Sequence, residues 1–190
     1  KKILKKFKEE DDFYYWYRLK KEAQIIAKLR NKKESLNYIT SNFKNIENHN
    51  VKILFDIANF YKNSKEYKEA IKYYSKIIDI LGNESKIKSD LLYRRGGSYA
   101  RIGNYEKADK DLLHSLKINP DDAYVLNYIA YSWLERDYKI DEAIERLESA
   151  YKLKDNDPYI IDSIGWAYYL IDDYLKAEKF LKRAVELMPD

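Results

Sequence analysis

Small and large apolar residues recur among polar ones in a fixed order over most of this chain. In PYIIDSIGWAYYLIDDYLKAEKFLKRAVELMPD, Gly165 is followed by Tyr168, Ala177, Leu181, Ala184 and Pro189. The same spacing picks out Gly96, Tyr99, Ala108, Leu112, Ser115 and Pro120, and again Ala58, Tyr61, Ala70, Tyr74, Ile77 and Gly82. A further set, Ala130, Trp133, Ala143, Leu147, Ala150 and Asp155, fits once one residue is added to its inner turn. Such a repeat describes helical hairpins that pack on one another. The small residues mark where two helices approach closely, and large ones such as Ile164, Tyr168, Leu181 and Leu112 fill the space between. A glycine inside a helix costs ~1 kcal/mol relative to alanine, so Gly96 and Gly165 are kept for packing room. The pattern predicts eight helices in four antiparallel pairs over 51–190, with turns near 64–66, 103–104, 137–140 and 172–173.

Residues 1–50 follow the repeat poorly. Ile25, Ile26 and Leu29, then Leu36, Ile39 and Phe43, keep helical spacing, and predict a degenerate hairpin near 16–48. Ile3, Leu4 and Phe7 then read as the second helix of an earlier hairpin. A basic amphipathic membrane anchor is the alternative there, since Lys1, Lys2, Lys5, Lys6 and Lys8 flank these apolar positions; the apolar face is short for that role. A start at Lys1 reads as an excerpt of a longer protein.

Five glycines and three prolines in 190 residues argue for long helices and against a loop-rich β architecture. The absence of cysteine excludes disulfides, thiolate metal sites and a cysteine nucleophile. With 36 basic and 32 acidic side chains the net charge is only +4, too small and too interleaved to point to nucleic acid. No apolar run approaches the ~18 residues of a membrane span.

The recurring small, aromatic and proline positions resemble the tetratricopeptide repeat, whose period is about 34 residues. The resemblance covers units near 51–88, 89–122, 123–157 and 158–190, the first lengthened across 82–88. It implies an all-α fold: a right-handed superhelical solenoid of antiparallel helix pairs, with residues 1–50 as degenerate hairpins of the same solenoid. Leu126-Asn127-Tyr128, the long turn Arg136–Ala143 and Asp162-Ser163-Ile164-Gly165-Trp166 further resemble a group of proteobacterial envelope-associated repeat adaptors. That likeness implies an adaptor role in a bacterial protein and a periplasmic-side envelope location, with the cytoplasm as the alternative.

Residues arranged for chemistry are not evident. His49 stands in an Asn-rich connection and His114 beside the packing positions Leu112 and Leu113, so neither has a partner for acid–base work or zinc. Arg94-Arg95-Gly96-Gly97-Ser98 lacks the glycine spacing and ending of a phosphate loop. Asp121-Asp122 and Asp172-Asp173 precede helices and read as caps. The expectation is a protein that is not an enzyme and carries no cofactor or metal.

In a stacked-hairpin solenoid the first helices line the concave face. Their outward residues are Lys52, Phe55 and Asn59; Tyr93, Arg94 and Arg101; Tyr124, Asn127, Tyr128 and Tyr131; and Tyr159, Asp162, Trp166 and Tyr169. This surface shifts from polar and basic to aromatic along the chain, and aromatic side chains dominate interface energetics. Tyr99, Tyr168 and Trp133 are expected in the core. The predicted function is a scaffold gripping a peptide or protein segment, with single-stranded nucleic acid in the tyrosine/basic groove as the alternative. Asp56, Asp90, Glu135 and Asp162 oppose that alternative by repelling phosphate. The two-carboxylate clamp by which some family members hold chaperone tails is not reproduced: Asn59 and Arg94 are fragments of it at most. Self-association through uncapped ends is a further expectation, with Tyr169, Leu170, Phe180 and Leu187 uncovered at one end and the Phe13–Tyr17 run at the other.

Overall fold

A computed structural model describes residues 2–42, 51–81 and 86–188. Ten helices occupy them: α1 Lys2–Leu29, α2 Lys32–Asn42, α3 Val51–Asn63, α4 Tyr67–Leu81, α5 Lys86–Arg101, α6 Tyr105–Ile118, α7 Ala123–Leu134, α8 Ile140–Leu153, α9 Pro158–Leu170 and α10 Tyr174–Leu187. No strand occurs among the described residues. Nor is any helix among them long and apolar enough to cross a membrane. The chain divides into two compact units, 1–82 and 83–190.

In the second unit α5, α7 and α9 each pack against the helix that follows, and successive pairs stack. Leu112, Ile129, Leu147, Ile160 and Ile164 are buried in one continuous core with Trp133. Ala108, Ala130, Ala143, Ala150 and Ala167 are fully buried there, as expected of residues at helix crossings. In the first unit α1 pairs with α2 and α3 with α4. Trp16 is fully buried and meets Phe60 of α3 edge-on at 6.2 Å. Asp56 of α3 takes both the Trp16 indole N–H and the Lys20 ammonium at 2.7 Å.

The inner turns explain the repeat's aromatic position. In each, a residue seven past the small position takes a left-handed conformation: Lys65 (φ 62°), Gly103 (76°), Asp137 (54°) and Asp172 (62°). The next amide donates back five residues, from Glu66 to Tyr61, Asn104 to Tyr99, Tyr138 to Trp133 and Asp173 to Tyr168, at 2.9–3.0 Å. A second bond spans three residues, from Lys65 to Lys62 and likewise in the other turns. This is the Schellman termination, and it satisfies two of the terminal carbonyls of each first helix. The left-handed residue costs ~1–2 kcal/mol when it carries a side chain, and only the second turn supplies glycine. The extra residue of the third turn is Lys139, also left-handed at φ 51°. It opens α8 without a side-chain cap, while its ammonium pairs with Glu142 and lies 5.2 Å from the Trp133 ring.

The expected turns near 64–66 and 172–173 fall where helices break, at 64–66 and 171–173, while the third break, 135–139, stops short of Ile140, which is already helical. Asp122 and Asp173 cap α7 and α9's partner α10 through their carboxylates. Asp172 instead holds the left-handed turn and accepts from the Tyr174 hydroxyl at 2.6 Å. One expectation fails outright: no break separates Ile3, Leu4 and Phe7 from a hairpin beginning at 16. The backbone of α1 is helical without interruption from Lys2 to Leu29, a stretch that contains neither glycine nor proline to end it. Phe43, His49 and most of the lengthened connection at 82–88 lie outside the described residues.

Candidate partner-binding surface

On α7 and α9 the position just after the small residue is Tyr131 and Trp166. Both point outward from helices whose opposite side fills the core, and they are 38% and 39% exposed. Trp166 stacks on Tyr169 with ring centres 5.5 Å apart and planes 19° from parallel. Tyr169 meets Tyr174 at 5.7 Å. The result is a continuous exposed aromatic array from α9 into the start of α10. Tyr124 and Tyr159 are exposed at the N-terminal ends of the same helices, with the Lys154 ammonium 5.0 Å from the Tyr124 ring.

Charged side chains act on the Tyr131 hydroxyl. Burial raises its hydroxyl pKa first, and the carboxylates of Glu135 and Asp162 raise it further, while Arg101 opposes them. α7 itself packs against both α5 and α9. Asp162 is exposed, four residues before Trp166 on the same helical face. Glu135, equally exposed, lies four after Tyr131.

The other anticipated contact residues have other surroundings. Tyr128 precedes the small residue by two, which turns it between α5 and α7: it is half-buried, edge-on to Tyr93 at 5.8 Å, and donates to the Gly97 carbonyl at 3.3 Å. Tyr93 is half-buried too, and burial pushes its hydroxyl pKa up. Arg94 is held by Asp90 at 2.8 Å. Asn127 keeps a buried side-chain oxygen that meets no donor. In the first unit Lys52 is exposed, Phe55 is half-buried, and Asn59 accepts from the Tyr74 hydroxyl at 2.8 Å. Asn59, Asp56 and Phe60 also line a cleft of about 600 Å³ against α1. Of the residues expected in the core, Trp133 and Tyr168 are 1% and 6% exposed, and Tyr99 is half-buried.

At the ends, Tyr169 and Leu170 are exposed, but Phe180 is sandwiched by Tyr168 at 5.7 Å and Tyr151 at 5.3 Å, and Leu187 is half-buried. Tyr14, Tyr15 and Tyr17 are exposed around the buried Trp16. His114 is half-buried on α6. Among the described residues no three His, Cys, Asp or Glu side chains gather as a metal site.

Glu135 was not among the anticipated contact residues, although it occupies the offset of Arg101, five past the small residue. Carrying that offset through every unit identifies it from sequence alone.

Tetratricopeptide-repeat family models match residues 51–80, 89–122 and 160–190. A TPR repeat-containing protein of Pseudomonas aeruginosa is 34% identical over 101 residues, 53% of this chain and 17% of that protein. Another from Methanocaldococcus jannaschii is 39% identical over 80 residues, 42% of this chain and 13% of that protein. The chain thus spans under a fifth of these relatives' length. Among solved structures, MamA from Desulfovibrio magneticus RS-1 is similar with a TM-score of 0.67 at 19% identity, covering 90% of this chain and 94% of that one. YrrB, described as a TPR protein with an unusual peptide-binding site, gives 0.60 at 17% identity over 88% and 84%. The first TPR of Spaghetti (RPAP3), bound to an HSP90 peptide, gives 0.53 at 20% identity over 56% and 84%.

Proposed function

The chain belongs to the tetratricopeptide-repeat family, whose fold serves as a protein-interaction scaffold, and on that footing we propose that α7 and α9 present its partner-binding face. The face grips a peptide segment of another protein, with Arg101 of α5 at its edge. One observation carries this reading: Tyr131, Trp166 and Tyr169 stand exposed on the first helices, and aromatic side chains are enriched at interfaces and their hot spots relative to the rest of a protein surface. The peptide-bound and peptide-binding neighbours above support the class of ligand. They do not support an acidic chaperone tail here, because Asn59 is engaged by Tyr74 and Arg94 by Asp90. Phosphate would meet Glu135 and Asp162 at the aromatic array, which disfavours single-stranded nucleic acid.

Replacing Tyr131 and Trp166 together with Ala is expected to weaken capture of the native partner by about thirtyfold or more, the loss of a hot spot of ~2 kcal/mol. Circular dichroism should be unchanged, because both side chains are substantially exposed. Leu175→Ala, on α10 and 84% exposed, should leave capture intact. Helicity lost in the double variant would assign the two aromatics to the core and remove this reading.

A further inference from the structure

The aromatic face has a sign. Neither α7 nor α9 contains a lysine or arginine, in a chain where 36 of 190 residues are basic. Both helices also lack a basic residue in the last turn, where cations ordinarily offset the partial negative charge of the terminal carbonyls. Arg136, just beyond α7, donates to the Ser132 carbonyl but is committed to Asp109 at 2.9 Å and lies over the Tyr105 ring. Glu135 follows Tyr131 by four residues and Asp162 precedes Trp166 by four, and all four side chains are exposed. Asp172 adds a third carboxylate at the Tyr174 end of the stack.

From this juxtaposition we propose that the segment bound on α7 and α9 is cationic, its lysine or arginine heads lying over Tyr131, Trp166 and Tyr169 and pairing with Glu135 and Asp162. The proposal rests on the partner-binding reading above and adds the chemistry of the ligand. A guanidinium or ammonium is attracted to an aromatic face, and carboxylates at the rim of that face select the same charge and repel its opposite. The aromatic rings supply contact area, and the carboxylates decide which peptides take it. An acidic peptide would lose on both counts.

The molecule carries its own reporter. Of its three tryptophans, Trp16 and Trp133 are 0% and 1% exposed, while Trp166 is 39% exposed, so collisional quenching reads Trp166. Normalised to free N-acetyltryptophanamide, caesium should quench the emission of the full chain more efficiently than iodide, and the preference should fall in the Glu135→Gln, Asp162→Asn variant. The same emission follows titration with a short synthetic peptide in which lysine alternates with serine, and with its glutamate counterpart. The lysine peptide should give a saturating change at least about tenfold tighter than the glutamate peptide. The double variant should erase most of that difference, while Glu145→Gln, exposed on α8, should not.

Equal affinity for the two peptides, tighter binding of the glutamate peptide, no saturable binding of the lysine peptide, or a normalised quenching stronger for iodide than for caesium would each overturn the proposal. So would tight, steeply salt-dependent binding of a single-stranded oligonucleotide at Trp166. Partner capture that still depends on Tyr131 and Trp166 in any of these cases would leave the binding face standing and remove only its charge selectivity.

Discussion

Asp111→Ala is expected to destabilise the second unit by ~3–5 kcal/mol, the largest loss foreseen for any single substitution. Arg95 of α5 and Asp111 of α6 form a two-pronged ion pair: Nε donates at 2.7 Å and Nη2 at 2.8 Å to the two carboxylate oxygens. Their side chains are 18% and 8% exposed. Removing the carboxylate leaves a guanidinium that stays charged at any ordinary pH in a place with little water. The melting transition should fall by about 10 °C or more, given ~4–8 °C per kcal/mol for a unit of this size. Replacing both partners with apolar residues of similar volume, Arg95→Met with Asp111→Leu, should recover most of the loss. That recovery separates the cost of removing the carboxylate alone from the worth of the pair. A melting temperature unchanged in Asp111→Ala would mean the pair contributes nothing to holding α5 on α6.

Gly165→Leu comes next, at ~1–3 kcal/mol for overpacking. A Cβ at Gly165 would lie 2.9 Å from both Cγ and Cδ2 of Leu181 and 3.2 Å from the Leu181 backbone nitrogen. The leucine side chain can rotate away, but the α10 backbone cannot yield without moving the helix. Since α9 carries Trp166 next to Gly165, the shift should also change Trp166 quenching, linking a packing defect to the aromatic face. Gly97→Ala is the contrasting case: its nearest neighbour would be the Tyr128 hydroxyl at 3.4 Å, an ordinary contact, so it should melt above the parent, alanine gaining ~1 kcal/mol over glycine inside a helix. Equal melting of the parent and Gly165→Leu would deny the close approach between α9 and α10.

The helix pairs were legible because two physical needs recur at fixed spacing: a small residue at each crossing, and a turn whose left-handed residue follows seven positions later. Gly96 and Gly165 announce the first need; the second is masked in sequence, because Lys65, Asp137 and Asp172 do the work that glycine does at 103. The extent of α1 was not legible. The repeat implies a break between Phe7 and a hairpin starting near 16, whereas nothing in the chemistry of Lys2–Leu29 ends a helix. Tyr128 and Tyr131 are the same residue three apart on one helix, and composition cannot separate them. Their offsets from Ala130 do, one turning toward α5 and the other outward. The Arg94-Arg95-Gly96-Gly97 stretch lies inside α5, and its structural use was invisible in the sequence, since Asp111 lies sixteen residues away on another helix. The acidic residues Glu135 and Asp162 were legible in the sequence as groups that repel phosphate; that both stand exposed beside the aromatic positions is what the structure adds.

The central claim is that the outward side of α7 and α9 holds the partner, and site-specific photo-crosslinking in the native cell tests it most directly. A photoreactive phenylalanine at Trp166 or Tyr131 should form a covalent adduct with another protein, and the same group at Leu175, more exposed but on α10, should form none. Adducts at Leu175 with none at Trp166 and Tyr131 would contradict the account and move the binding surface to the second helices.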